Sequence, residues 1–424
     1  MSSSLQSGPM NRKRLAILTT HPIQYQAPWF RALAAHPDLE LEVFFAHKAT
    51  PEDQAAAGFG VQFDWDIPLL DGYRYQFLKN VAKRPGLRGF CGLDTPEVGD
   101  VIRKGRYDAV LVNGWHYKSA WQAIRACWTT GTPVMVRGDS HLYTPRHWVK
   151  RLLKEPLYRW FIPRFDACLA VGRWSREYYL HYGARPERVF FVPHFVDNDW
   201  FRREATRWRS RRSEVRAQFG LGEAAVVFLF VGKFIEKKRP LDFVRALQLC
   251  AETGVGVQGL MVGDGPLRAV CEQFARDRGT PVRFAGFLNQ SEIARAYAAS
   301  DVLVLPSDGR ETWGLAVNEA MACGLPAIVS NQVGCGPDLI DPGSTGDVFP
   351  MGDVERLAMA MRVWCDPVRR CAASAAIAQK IAGYSIERAV EGTLEALHAI
   401  CEKRALAAPR AKHAWPGFDR EGNG

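Results

Sequence analysis

The segment Asp301-Val-Leu-Val-Leu305, followed after a five-residue break by Glu311-Thr-Trp-Gly-Leu-Ala-Val-Asn-Glu319, decides the fold of this chain. The first part is a short apolar run, which is typical of a fully buried parallel strand. Residues 315–323 then have the composition of a helix, and Gly324 closes it as a glycine normally closes a helix C-terminus. The order strand, glycine-bearing loop and helix predicts an α/β fold.

The same segment suits a phosphate group joined to a sugar. The free N–H groups at a helix start, reinforced by the helix dipole, favour an anion near Gly314 and Leu315. Glu319 lies about 7.5 Å further along the helix, which is about the reach from a phosphate to a ribose, whose diol a carboxylate can hold. Glu311 is expected to face the opposite way, toward sugar hydroxyls. Two glutamates at this spacing can also be ordinary solvated charges, so the rest of the chain has to decide.

Composition limits the class of protein. At 424 residues the chain predicts two domains, and 47% apolar with 24% charged residues is globular. No apolar run approaches the roughly 20 residues needed to span a bilayer. Ten scattered cysteines without a Cys-x-x-Cys pair indicate a reducing cytoplasm and argue against structural zinc. A net charge of +10 indicates an anionic partner, such as nucleic acid, a phosphorylated substrate or an acidic membrane face.

Apolar runs alternate with helix-like stretches in two successive series. The first series of predicted strands is Leu15–Thr19, Leu39–Ala46, Ala109–Val112, Val134–Val136, Ala167–Val171 and Val189–Val192. The second is Val226–Val231, Val257–Val262, Val282–Phe284, Val302–Leu305, Ala327–Val329 and Gly346–Phe349. This alternation predicts two parallel sheets with crossover helices, and a cleft between them at the carboxyl ends of the strands.

The domain boundaries follow from the same pattern. We predict a disordered N-terminus at 1–11, a Rossmann-like domain at 12–200, a linker at 201–220, a second Rossmann-like domain at 221–384, a helix at 385–402 and a loose tail at 403–424. The linker is assigned because residues 201–216 are basic and contain no strand. The helix has one apolar face, which should pack against a domain.

Several motifs of the second half occur together in order. They are Val231-Gly-Lys-Phe-Ile-Glu-Lys-Lys238, Gly263-Asp-Gly-Pro266, Phe284-Ala-Gly286, Asp301–Pro306, Glu311-x₇-Glu319 and Gly324-Leu-Pro-Ala-Ile-Val329. This set resembles the retaining family 4 glycosyltransferases of the GT-B fold. In the first half, residues 189–197 resemble the segment that ends the first domain in that family. The resemblance implies two doubly wound parallel-sheet domains facing a central cleft, the first binding the acceptor and the second the nucleotide-sugar donor.

The resemblance also implies roles for donor-binding residues. Lys233 and Lys238 would hold the donor diphosphate, although the family usually has Arg at the first position. Glu319 would take the ribose hydroxyls, Glu311 the donor sugar, and the amides of Gly314 and Leu315 a phosphate. The other predicted donor-binding residues are Gly232, Gly263, Phe287 and Trp313. A solvated turn is the alternative interpretation of the two lysines.

The first domain departs most from the family. The Gly-Gly pair that often follows its first strand is replaced by His21-Pro-Ile-Gln-Tyr25, so Gln24 and Tyr25 are predicted to line an acceptor pocket. Two other predicted strands end in polar clusters that face the same cleft, where family members place a His or Asp near the anomeric centre. The predicted catalytic residues are Asp139, His141, His116 and Glu311. A lone histidine is more often structural.

The resemblance implies transfer of a sugar from a nucleoside-diphosphate sugar to a hydroxyl of a glycan or glycolipid intermediate, with retention. Two Asp-x-Asp triplets, Asp64-Trp-Asp66 and Asp197-Asn-Asp199, match a metal motif of a different fold and are interpreted as structural. No metal and no cofactor are predicted. The alternatives are an epimerase or phosphorylase on the same architecture, and a basic nucleic-acid-binding protein, for which charge is the sole support; no nucleic-acid partner is predicted.

Residues 146–164 interleave basic with apolar and aromatic side chains. Such a surface can dock on anionic lipid and give access to a lipid-linked acceptor. Pro156 interrupts the stretch, and its apolar positions fit a core-facing helix equally well. We therefore expect a cytoplasmic protein, with peripheral contact at the inner face of an anionic membrane as a hypothesis.

Overall fold

The computed structural model describes residues 12–55, 61–145 and 148–407. The disorder expected for residues 1–11 lies outside these ranges, as does the part of the loose tail expected at 403–424 that follows residue 407. The first domain contains β1 Lys13–Thr19, α1 Gln26–Ala34, β2 Leu39–Phe45, α2 Pro51–Gln54, β3 Arg74–Phe77, α3 Val98–Gly105, β4 Ala109–Asn113, α4 Lys118–Thr130, β5 Val134–Gly138, α5 Trp148–Phe161, β6 Ala167–Ala170, α6 Arg173–His181 and β7 Val189–Phe191.

The remaining elements follow a connection at residues 192–197. They are α7 Asn198–Arg209, α8 Arg212–Gln218, β8 Val226–Val231, α9 Pro240–Ala251, β9 Val257–Val262, α10 Arg268–Arg278, β10 Val282–Gly286, α11 Gln290–Ala299, β11 Val302–Leu305, α12 Leu315–Ala322, β12 Ala327–Ser330, α13 Gly336–Leu339, β13 Gly346–Phe349, α14 Val354–Val363, α15 Pro367–Ala382 and α16 Ile386–Ala407.

Each domain is built on one parallel sheet. The first sheet has seven strands in the order β3-β2-β1-β4-β5-β6-β7, and the second has six in the order β10-β9-β8-β11-β12-β13. Each order reverses once, between β1 and β4 and between β8 and β11. The predicted fold class, two doubly wound Rossmann-like domains, is confirmed, and these reversals are where such sheets bind ligands.

Both faces of the first sheet are covered, which explains the near-continuous apolar strands. Along β1, Ala16 and Leu18 pack into one buried cluster, while Leu15 and Ile17 pack into another on the opposite face. Alternate residues of a strand point to opposite faces, so a strand covered on both sides must be apolar throughout. All four residues of β11 are fully buried for the same reason.

The stretch predicted to be an interdomain linker, 201–220, forms most of α7 and α8 and belongs to the second domain. Phe201, Ala205 and Val215 lie in the second domain's core. Arg216 is buried and pairs with Asp301 at 2.8 Å. The linker prediction was therefore wrong, because several arginines of this stretch bind carbonyl oxygens and a carboxylate of this domain.

The last helix returns to the first domain. α16 contacts α1, β6 and β7, and its residues Ala389, Ala396 and Leu397 join the first domain's core. The helix continues to Ala407, so the predicted end at residue 402 was too early. The chain therefore connects the two domains twice, at residues 192–197 and again before α16. Within the described ranges, no helix combines the length and apolar character needed to cross a membrane.

Candidate active site

A cavity of about 330 Å³ lies between the two domains, at the carboxyl ends of β8, β9, β10 and β11. Its polar and charged lining from the second domain includes Lys233, Lys238, Asp264, Asn289, Gln290, Glu311, Thr312 and Glu319. The first domain contributes Gln24, Tyr25, Trp65, Asp139 and His194. All of the predicted donor-binding residues line this cavity: Gly232, Lys233, Lys238, Gly263, Phe287, Glu311, Trp313, Gly314, Leu315 and Glu319.

Two lysines make one part of the cavity cationic, at the reversal between β8 and β11. Lys233 follows β8, and burial together with the neighbouring Lys237 and Lys238 lowers its pKa to about 8. The loop after β8 lies close to the loop after β9, since a Cβ on Gly263 would stand 2.1 Å from the Gly232 carbonyl oxygen. Gly263 also has a φ of 124°, which a side chain would strain.

Glu311 is the counter-ion of Lys238, with Lys237 further away. The Lys238 Nζ lies 2.5 Å from Glu311 Oε2, and the Lys237 Nζ lies 3.8 Å from Glu311 Oε1. Burial would raise the pKa of Glu311, but the two ammonium groups outweigh it and hold the pKa below its ordinary value. The Glu311 carboxylate points at Lys238 and lies on the cavity wall; its expected contact with sugar hydroxyls stays a prediction.

Glu319 is a buried carboxylate held by two tyrosines. Tyr297 of α11 donates its hydroxyl to Oε2, and Tyr25 of the first domain donates its hydroxyl to Oε1 at 2.8 Å. Burial raises the pKa of Glu319, although both hydroxyls act in the opposite direction. Gln24 and Tyr25 do line the cavity, but Tyr25 lies against the carboxylate predicted to bind the donor. An acceptor role for these two residues stays a prediction.

The start of α12 faces the cavity between these charged groups. Gly314 precedes the helix with a φ of 108°, and a Cβ there would stand 2.8 Å from Leu305 Cδ2. Leu315 and Ala316, the first two residues of the helix, line the cavity. Amides in a first turn have no partner within the helix, so this end can bind an anion.

The first domain supplies an acid and an imidazole to the opposite wall. Asp139 follows β5 and accepts a hydrogen bond from the Thr312 hydroxyl at 2.6 Å. His194 Nε2 lies 4.0 Å from Asp139 Oδ2, and among the described residues that nitrogen has no hydrogen-bond partner. Burial, and then the positive Arg137, lower the pKa of His194 to about 3, so this imidazole is neutral near pH 7.

His194 was missed from the sequence. It lies inside residues 189–197, which were recognised as the end of the first domain but not as part of a site. The available signal was a polar residue two positions after a predicted strand, and that signal is weak because many strands are followed by polar residues.

The structure does not bring His141 and His116 to this cavity. His141 is buried, and its ring lies 5.1 Å from that of Trp174 on α6; the chain has turned away from the cleft after Asp139. His116 lines a separate small cavity at the carboxyl ends of β1 and β4. Of the predicted catalytic residues, Asp139 and Glu311 are the two on the wall. His141 and His116 do not line the cavity.

The Asp-x-Asp triplets have structural partners. Asp197 caps α7 by accepting from the Trp200 amide at 2.9 Å, and Asp66 accepts from the Ser291 amide at 3.2 Å. Trp65, the central residue of the first triplet, lines the cavity. No cluster of three or more His, Cys, Asp or Glu suited to a metal ion occurs in the described part of the chain.

Two family models match the chain. Residues 23–195 match the "Glycosyl transferase 4-like domain" and residues 211–372 match "Glycosyl transferases group 1". The chain is 30% identical over 204 residues to N-acetyl-alpha-D-glucosaminyl L-malate synthase of Bacillus anthracis, covering 48% of this chain and 51% of the relative. It is 33% identical over 249 residues to D-inositol 3-phosphate glycosyltransferase of Geodermatophilus obscurus, covering 56% and 53%. These matches span about half the length of the curated relatives.

Solved structures share the whole fold. The crystal structure of Anabaena HepE in complex with UDP superposes with a TM-score of 0.67 at 18% sequence identity, covering 91% of this chain and 100% of that chain. At that identity the similarity shows the fold alone.

Proposed function

Because this chain belongs to the family 4 glycosyltransferases of the GT-B fold, we propose that it moves a sugar from a nucleoside-diphosphate sugar to a hydroxyl, with retention at the anomeric carbon. The observation that carries the proposal is the cavity itself. Two lysines and a helix start lie beside a buried carboxylate, where a diphosphate and a ribose would need them. A relative named phosphatidyl-myo-inositol mannosyltransferase supports a glycolipid acceptor.

The residues of the second-domain wall stabilise the leaving diphosphate. Charge develops on the leaving diphosphate, and Lys233, Lys238 and the first amides of α12 are already oriented to stabilise it. Glu311 keeps Lys238 in place through their ion pair. Preformed cations of this kind lower the barrier without reorganising during the reaction.

Asp139 and His194 lie on the first-domain wall, on the side from which an acceptor would approach. Asp139 is fixed by Thr312 of the second domain, so its position depends on the closed arrangement. We propose that these two groups orient the acceptor hydroxyl while a departing phosphate oxygen takes its proton on the same face. This step needs neither a metal nor a separate base.

The test uses UDP, GDP and ADP and their glucose, mannose or N-acetylglucosamine conjugates. One nucleoside diphosphate should raise the melting temperature, since a ligand that binds the folded state stabilises it. Its sugar conjugate should be consumed when a hydroxyl acceptor is added, at the same rate in EDTA as in magnesium. NMR of the product should show the same anomeric configuration as in the donor. Absence of binding by all three nucleotides would overturn the proposal. Isomerised sugar formed without an acceptor would indicate an epimerase instead, and phosphate-dependent cleavage a phosphorylase.

Helix α5 provides the surface for a lipid-linked acceptor. Its large apolar side chains are exposed: Trp148 at 69%, Leu152 at 67%, Leu153 at 70%, Leu157 at 47% and Trp160 at 48%. The helix runs through Pro156 and does not bury these residues, so the core-facing alternative is wrong for them. Residues 148–164 carry five lysines and arginines against one glutamate. We propose that this face docks on anionic lipid.

Vesicles test this surface. The protein should co-sediment with phosphatidylglycerol vesicles at low salt and not with phosphatidylcholine vesicles, because charge selects the anionic surface. Leu152→Ser with Leu153→Ser should lose most of the binding. Val368→Ser, at a 74% exposed position on α15, is the matched control and should bind as the parent does. No binding to either vesicle would remove the proposal.

A further inference from the structure

Residues 61–67 of the first domain lie across the cleft and dock on the second domain. This strap, as we call residues 61–67, contains no regular secondary structure and precedes β3. The Asn289 side chain donates to the Asp64 carbonyl oxygen at 2.8 Å. The Asp66 carboxylate accepts from the backbone amide of Ser291 at 3.2 Å and from its hydroxyl. The strap is therefore attached to the first turn of α11.

Aromatic packing joins the strap to the cavity. The ring of Phe63 lies 4.3 Å from that of Phe287, and the ring of Trp65 lies 5.0 Å from Phe63 and perpendicular to it. Alternate strap residues Val61, Phe63, Trp65 and Ile67 are partly buried, whereas the residues between them are exposed. Trp65 lines the cavity together with Phe287. The strap thus brings a first-domain aromatic ring to a second-domain pocket.

The two ends of the cavity differ in chemistry. Across the sheet, β10 lies three strands from β11, about 14 Å at the usual strand spacing. The β8 and β11 end carries Lys233, Lys238 and the start of α12. The β10 end carries Phe287, Leu288 and Ile293, with Trp65 opposite. An elongated ligand with one anionic and one flat, apolar end fits this order.

We propose that Trp65 contacts the nucleobase of the donor, so that the base is recognised by both domains and not by the second alone. This inference rests on the proposed function and assigns the base end of that site. Stacking on an aromatic side chain contributes about 1–3 kcal/mol per base. Asp66 acts as a positioning residue, because its bond to Ser291 holds Trp65 over the pocket.

The test compares ligands with and without a base. Isothermal titration of the parent with UDP, GDP, ADP and inorganic pyrophosphate identifies the nucleotide that binds tightest. Trp65→Ala should weaken that nucleotide about five- to 150-fold, the range corresponding to lost stacking, and leave pyrophosphate within twofold. Trp65→Phe keeps a ring and should recover most of the affinity.

The second pair of variants separates position from contact. Asp66→Ala should raise the nucleotide Kd, as Trp65→Ala does, without changing the Kd for pyrophosphate. Gln62→Ala, at an exposed strap position, is the control and should match the parent. Nucleotide affinity unchanged in Trp65→Ala would overturn this inference alone. An equal loss of affinity for nucleotide and pyrophosphate in Trp65→Ala would also overturn it, because it would indicate general damage to the site. A parent that binds none of the three nucleotides would overturn the proposed function itself.

Discussion

Glu311 and Lys238 show how a residue can matter both for binding and for stability. Their carboxylate and ammonium lie 2.5 Å apart with little exposure, 10% and 14% of the side chains. A buried charge is tolerated when it is paired, and removing one partner leaves the other uncompensated. Mutation of the two residues, singly and together, can therefore separate their effect on stability from their effect on ligand affinity.

We expect Lys238→Ala to lower the free energy of unfolding by about 3 kcal/mol, because Glu311 would remain buried without its main counter-ion. Binding of UDP, GDP or ADP should weaken at least tenfold through the lost charge. Adding Glu311→Gln should recover stability in urea denaturation and leave the nucleotide affinity low. Recovery of both, or of neither, would contradict the assignment of Lys238 to the diphosphate.

His194 makes stability depend on pH. Its pKa is about 3 in the folded protein, below the ordinary value of 6.5, because burial and Arg137 disfavour the imidazolium. The unfolded chain therefore binds a proton that the folded one does not, and stability falls as the pH drops from 6.5 toward 3. His194→Gln should make this part of the profile shallower, by about 1.4 kcal/mol per pH unit.

Urea denaturation at pH 7, 6 and 5 measures this change. His398→Gln, at an exposed position on α16, is the control and should give the parental profile. A variant at His194 whose unfolding free energy falls as steeply as the parent's would show that other groups carry the pH dependence.

At the scale of elements, α12 and the loop before it supply both glutamates and the helix start of the candidate site. The helix places Glu319 one turn inside and its first amides at the cavity. Gly314 lets the chain enter the helix with a left-handed backbone while passing close to Leu305. The junction of β11 and α12 therefore depends on a residue without a side chain. Adding a methyl group at Gly314 tests whether this junction positions the start of α12.

Gly314→Ala should destabilise the protein by about 1–3 kcal/mol, from the left-handed backbone and the contact with Leu305, and should weaken nucleotide binding as the first turn shifts. Gly279→Ala at the end of α10 provides the comparison. Its φ is 61°, and nothing lies within 4 Å of its added Cβ. That variant should lose about 1 kcal/mol and keep the nucleotide affinity. An equal loss of affinity in both would contradict a local role for Gly314.

At the scale of the whole molecule, several hydrogen bonds hold the domains together around the cavity. Tyr25 binds Glu319, Thr312 binds Asp139, and the Arg173 amide binds Asp338 at 3.0 Å. Under the proposed function, the first of these bonds competes with the ribose diol for the same carboxylate oxygen. We therefore expect this interdomain contact to break when a nucleotide enters.

Tyr25→Phe should make the free protein more open, with a larger radius of gyration in small-angle X-ray scattering. It should also lower the Kd for the preferred nucleotide about fivefold, because a neutral hydrogen bond contributes about 1 kcal/mol and the diol no longer competes with it. Tyr297→Phe removes a hydroxyl within the second domain and should leave the radius unchanged. Weaker nucleotide binding by Tyr25→Phe would show that its hydroxyl contacts the ligand instead.

The sequence alone determined the parts that depend on local patterns. Alternating apolar runs identified both parallel sheets, and the exposed edge strand β3 was missed because it has no apolar run to detect. Glu311 and Glu319 could be named because each lies at a fixed distance from a helix start, where backbone geometry sets the position of a side chain. Lys238 was named through the family resemblance of its motif.

Tertiary structure alone decided which distant residues meet. Asp139 reaches Thr312, Tyr25 reaches Glu319 and Trp65 reaches the base end of the cavity only because the two domains face each other in one orientation. His141, two residues from Asp139, is turned into the core instead. Such contacts join residues more than 170 positions apart, and no local period or spacing encodes them, because they arise from the packing of whole domains.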